Sequence, residues 1–189
     1  KLMSSFEEDA AIKGIQYIDK EIQNAINPLK EILLSLKAEL LWDYYEDNRY
    51  VILERSNTAI LNENVDFTDW SYNDFAFHVN ACYDQSLKNT DTKNISIELW
   101  DAILLKGEDR NLRPTLYDFL AFRAIDHYSN AESFLNKKRD EFSVNDVSFF
   151  SSWSEFIKLE IPEKNKNASW YYIRILQDLM KFHAGDKDL

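Results

Sequence analysis

Only three glycines and three prolines occur in the 189 residues, well below the usual shares of about 7% and about 5%. Hairpin turns depend on glycine, so the shortage argues against a sheet protein and for helices joined by short polar loops. A single cysteine, Cys82, excludes an intrachain disulfide framework and a site built from several thiolates. Gly14, Gly107 and Gly185 stand alone, so no glycine-rich phosphate cradle can be assembled. His78, His127 and His183 fit neither the His-Glu-x-x-His nor the Glu-x-x-His spacing that places metal ligands on one helix face. No apolar run approaches the roughly 20 residues of a membrane-spanning helix. Cations are outnumbered, 22 Lys and Arg against 33 Asp and Glu, and a net charge of -11 repels phosphate backbones and anionic lipid. The expectation is a chain with no catalytic, cofactor-binding or metal-ligating residues and no nucleic-acid partner. Any membrane attachment would lie outside these residues.

What the chain has in quantity is aromatic residues, 10 Tyr, 12 Phe and 5 Trp, large anchors suited to helix pairs packed in layers. Ser5 with Glu8 reads as a capping box opening a helix to about Ile26, with Ile12, Ile15, Ile18, Ile22 and Ala25 at helical spacing. Asn27-Pro28 reads as N-cap and first helical position of a second helix, ending near 45–50, whose stripe is Leu29, Leu33, Leu36, Leu40 and Tyr44, widened by Ile32 and Leu41. Residues 57–68 lack periodicity and read as a loop. Ser71 and Asp74 cap a third helix to Leu87, with Phe75, Val79, Cys82 and Tyr83 inward. A short helix is expected over about 96–105, stopped by Gly107 in the left-handed conformation. Thr115 and Asp118 open the next, through Leu116, Leu120, Ala124, Ile125 and Tyr128. Residues 129–148 read as mixed and polar, 152–159 as a short helix, and 168–182 as the last helix, closed by Gly185. The fold class is all-α, antiparallel hairpins in an α-solenoid or TPR-like helical-repeat arrangement. It is expected to form a single domain over 1–189, with any subdivision near 57–70 and 131–148.

Weak chemical signals have plain structural readings. Asp74 lies four residues before His78 and Asp126 adjoins His127, but in so acidic a chain a carboxylate near a histidine is commonplace, and no nucleophile is tied to either pair. Cys82 and Gln85 are three apart, as in an internal thioester, yet they sit inside an amphipathic helix without the flanking Gly and Glu of that motif. Free cysteine is usually buried. Two Asn-x-Ser triplets, at Asn94 and Asn167, are close to chance in a chain this rich in asparagine. Trp42, Tyr44 and Tyr45, Trp70, and the pair Tyr171 and Tyr172 put aromatic groups on more than one side of their segments, which marks them as candidate partner-contact residues.

The stretch Leu112-Arg113-Pro114-Thr115-Leu116-Tyr117-Asp118-Phe119-Leu120-Ala121-Phe122-Arg123-Ala124-Ile125-Asp126 carries a family likeness. Around it lie 40–45 (Leu-Leu-Trp-Asp-Tyr-Tyr), Asn48-Arg49-Tyr50, Arg55, Asp66 with Trp70, and Ser86-Leu87. In the order and spacing of these blocks, residues 33–182 resemble the helical region preceding the macroglobulin domains of large bacterial alpha-2-macroglobulin-like proteins. One departure is Phe122, where that pattern often has His after Leu-Ala. The resemblance implies a fragment of a longer, exported, lipid-anchored protein of the periplasm or cell envelope. Its macroglobulin domains would engage or inhibit proteases, and this segment would be a non-enzymatic helical scaffold or interaction domain. The partners implied are the downstream macroglobulin domains and proteases, and no functional residue of the family carries over. A different class, a helical-repeat module binding peptide or glycan at the cell envelope, would display exposed Trp and Tyr in a groove. A helical hydrolase would need a pocket joining His78 or His127 to carboxylates.

Overall fold

A computed structural model describes residues 2–55, 65–107, 110–130, 147–163 and 166–185; the side chains of 2–9, 147 and 148 lie outside the described set. Among the described residues the protein is all-helical. The α-helices are α1 (Leu2–Asn24), α2 (Leu29–Leu53), α3 (Tyr72–Ser86), α4 (Leu116–Ser129), α5 (Trp153–Phe156) and α6 (Ala168–Phe182), joined by short 3-10 turns. The nearest thing to a strand is one isolated antiparallel bridge between Ser96 and Thr115. The chain divides into two compact units, Lys1–Thr92 and Lys93–Leu189. That boundary falls in neither 57–70 nor 131–148, the two stretches where a subdivision was expected.

In the first unit α2 lies between α1 and α3 and packs on both. Lys37 of α2 pairs with Asp19 of α1. Tyr45, late in α2, meets Tyr72 at the start of α3, with ring centroids 5.4 Å apart, while Asn89, just past α3, donates to Glu31 early in α2 at 3.0 Å. The α2–α3 pair is therefore antiparallel. Burial on two sides changes which residues of α2 are deepest. Leu34, Ala38, Leu41 and Tyr45 form the innermost stripe; of the residues the sequence pattern nominates, Ile32, Leu41 and Tyr44 are buried, Leu33, Leu36 and Leu40 are half-buried, and Leu29 is exposed. The start of α2 also differs from expectation. Pro28 occupies the cap position, with no side-chain cap bond from Asn27, and the Asn27–Pro28 peptide is cis.

Helix α1 begins at Leu2, so Ser5 lies inside the helix rather than at its cap, and its side chain falls outside the described set. The cap of α3 matches expectation: Asp74 accepts from the Ser71 backbone N–H at 2.9 Å and the Ser71 hydroxyl at 2.7 Å. Phe75, Val79, Cys82 and Tyr83 are all buried. The uncapped stretch 57–64 and the polar segment 131–146 lie outside the described residues.

In the second unit α4 and α6 pack together. Asp118 in the first turn of α4 reaches His183 at the end of α6, 2.7 Å away, and Tyr128 at the end of α4 stacks on Tyr171 at the start of α6, 5.0 Å between centroids. The two helices are thus antiparallel, with Leu120, Ala121 and Ala124 fully buried between them and their surroundings. The short α5 is clamped to α6 by Gln177, whose buried amide donates to the Phe156 and Leu159 carbonyls.

The segment before α4 departs from the sequence reading. In place of a helix over 96–105 there is a 3-10 turn, Ile97–Trp100. The backbone of Ile97 donates to Pro114 O at 2.9 Å and that of Leu116 to Ile95 O at 2.8 Å, which ties the start of this strip to the lead-in of α4. Gly107 consequently has no helix to terminate. Neither it nor Gly185 adopts a positive φ.

Candidate functional site

Three of the expected contact residues belong to the core. Trp42, Tyr44 and Tyr45 are buried, because α2 is covered on two sides: Tyr44 meets Phe67 edge-on at 5.3 Å, Tyr45 packs on Phe75, and the Trp42 indole N–H donates to Glu46 at 2.8 Å. Trp70 is part-buried, its ring stacked on His78 at 3.9 Å and nearly parallel, its carbonyl accepting from Arg55 at 2.7 Å. Tyr171 is part-buried against Tyr128. Aromatic groups that do reach solvent are others: Tyr17, Tyr50, Phe77, Phe150 and Trp153.

Each histidine sits in its own setting. His78 is occupied with Trp70 while Asp74, one turn earlier, is held by Ser71. His127 lies edge-on to Tyr128 at 5.0 Å, and burial lowers its pKa to about 4. His183 is tied to Asp118. Among the described residues no group of three or more His, Cys, Asp or Glu side chains is placed to hold a metal ion, and no helix is long and apolar enough to cross a membrane. Cys82 is buried while Gln85 is exposed, and burial pushes the Cys82 thiol up.

The concave feature with mixed chemistry lies in the second unit. A cleft of about 210 Å³ is lined by Ile97, Leu104, Leu105, Gly107, Arg110, Arg113, Phe119, Phe122, Arg123 and Asp126. Its apolar floor comes from Leu104 and Leu105 on the turn segment and from Phe119 and Phe122 on the outer side of α4. Local bonds explain why that segment is held open. Ser96 Oγ accepts from the Glu98 N–H, Arg110 pairs with Asp101 and donates to the Ile97 carbonyl at 3.0 Å, and Lys106 reaches Asp101 at 2.8 Å. Lys106 first, and Arg110 beside it, hold the Asp101 carboxyl below the usual range.

The three arginines differ in how far they are committed. Arg110 is spent on Asp101 and Ile97. Arg113 lies over the Phe122 ring at 3.7 Å and is exposed, with no carboxylate in ion-pair range among the described residues. Arg123 lies over Phe119 at 5.5 Å. Both distances lie within the range of cation–π attraction, the shorter one at Arg113. None of these lining residues was singled out as a contact residue from sequence. The usable signal was the pair of phenylalanines with an arginine one helical step beyond, on the side of α4 opposite Leu120 and Ala124.

No family model, curated protein or solved structure matches this chain.

Proposed function

We propose that this chain is a non-enzymatic helical interaction domain of an exported alpha-2-macroglobulin-like protein. It would work at the cell envelope beside macroglobulin domains that engage proteases. The observation that carries the reading is a coincidence of place. The stretch 112–126, which bears the most specific likeness to that family, supplies Arg113, Phe119, Phe122, Arg123 and Asp126, five of the ten cleft-lining residues. A cleft lined by apolar side chains and arginines, with Asp126 as the carboxylate of its lining, suits contact with a partner.

The finer architecture belongs to the same proposal: α1, α2 and α3 packed in sequence, with antiparallel α2–α3, are what a stack of helical hairpins, as in an α-solenoid, would begin with. The test is the reading frame beyond Leu189 and the behaviour of its product. Continuation into β-sandwich domains that bind this chain when expressed separately is the expected result. A frame that ends in no such domain, or domains that fail to bind, would sink the reading.

A further inference from the structure

The charge of the cleft stands against that of the chain around it. The protein carries a net -11, yet the cleft is lined by three arginines and one aspartate. Of these, Arg113 has no ion pair with an acid among the described residues, and its guanidinium lies over the Phe122 ring at 3.7 Å. An arginine ordered before binding loses little entropy when a carboxylate arrives, and its planar fork accepts both carboxylate oxygens. The floor is of the opposite character. Leu105 at the lip is 99% exposed, a leucine that no contact within the chain covers. Leu99, Ile103 and Leu112 in the same stretch are exposed as well. Isolated apolar groups at a surface need no explanation, but several beside an unpaired arginine mark a contact site.

Size narrows the occupant. About 210 Å³ is below the roughly 300–1,000 Å³ of pockets that hold drug-sized ligands and cofactors, so the cleft has room for one or two side chains. A bare phosphate would use the arginines and leave the leucine and phenylalanine floor wet. Asp126 on the rim disfavours a ligand that is acidic throughout. We infer that the cleft docks a peptide segment of a partner protein in which a Glu or Asp lies next to a leucine-like anchor, the carboxylate on Arg113 and the anchor between Leu105 and Phe119. This rests on the interaction reading above and names the chemistry of its partner.

The experiment is fluorescence anisotropy on the full chain with a short labelled Glu-Leu peptide, its Gln-for-Glu counterpart and its Lys-for-Glu counterpart. The Glu-Leu peptide is expected to saturate with a Kd of about 10–100 µM, as fits a small site. Arg113→Gln should weaken it about fivefold, and Leu105→Asp at least about tenfold. Both positions are exposed, so neither change threatens folding, which circular dichroism checks. Equal binding of the Gln and Glu peptides, absence of saturable binding, or displacement of the peptide by inorganic phosphate alone would overturn the inference. So would self-association of the wild-type chain that Arg113→Gln abolishes, since the occupant would then be a second copy. If the peptides fail while the reading frame runs into macroglobulin domains that bind this chain, only this inference falls. If they bind and the frame does not, only the family reading does.

Discussion

Asp118 and Asp74 make the same helix cap in different surroundings, and the difference can be measured. In both, the carboxylate accepts from the N-cap backbone N–H and hydroxyl, at 2.9 and 2.8 Å for Thr115 and 2.9 and 2.7 Å for Ser71. Asp118 is in addition fully buried, and its second oxygen meets His183 Nε2 at 2.7 Å, a residue 65 positions away. The pair joins the positive end of α4 to the negative end of α6, so each partner also suits its own helix terminus. Asp74→Ala should cost the cap, about 1 kcal/mol. Asp118→Ala loses the cap and the link to His183, worth about 1–3 kcal/mol depending on the charge of the imidazole, for a total of roughly 2–4 kcal/mol. Asp118→Asn should be milder, because the amide keeps one acceptor for the cap and the imidazole can change tautomer to accept from it. Urea unfolding followed by helix circular dichroism gives each value, and the cycle with His183→Ala isolates the pair, expected to couple by about 1–2 kcal/mol. An Asp118→Ala cost no larger than that of Asp74→Ala, or a coupling near zero, would refute the idea that this contact staples the second unit.

Two further outcomes follow from buried titratable groups. His127 has a folded pKa of about 4 against about 6.5 in the unfolded chain. Its neutral form therefore favours the fold above pH 6.5, and that contribution is lost as pH falls toward 4, up to roughly 2–3 kcal/mol. His127→Gln should flatten the decline in urea midpoint between pH 7 and 4.5, and an unchanged slope would exclude His127 as its source. Cys82, buried and with its thiol pushed up, should react with a thiol reagent only slowly until denaturant is added. Methylamine should leave the intact mass unchanged, whereas ammonia release with amine uptake at Gln85 would establish a thioester.

How much was legible in the sequence depends on the range of the interaction. The boxes at Ser71 with Asp74 and Thr115 with Asp118 span three residues and were readable, as was the extent of α6. What distance decides was not. Nothing near Asp118 in sequence announces His183. The buried face of α2 depends on having both α1 and α3 against it, so periodicity found Ile32, Leu41 and Tyr44 but also nominated the exposed Leu29, and it left Trp42 and Tyr45, both buried, among the candidate contact residues. The segment 96–105 has helical composition, but it forms only the 3-10 turn Ile97–Trp100, its start tied to the lead-in of α4, and local propensity is a weak prior. The cleft was invisible for the same reason, since Leu104 and Leu105 come to line it together with Phe119 and Phe122 only once that strip folds back toward α4.

Helix α4 separates the demands of folding from those of contact. Leu116, Leu120, Ala121, Ala124 and Ile125 are buried, and packing alone accounts for them, as it does for Asp118 and Tyr128. Packing does not account for Arg113, Phe122 and Arg123. A core-facing stripe would be complete without them, and a soluble acidic surface would be better served by Glu or Lys at each. Their stacking is worth about 0.5–1 kcal/mol at an exposed site, too little to offset much exposed ring surface at about 25 cal/mol per Å². The outer side of α4 thus carries Phe119, Phe122 and Arg123, all half-buried, with Arg113 just ahead of the helix lying over the Phe122 ring. The inner side carries what the fold itself requires.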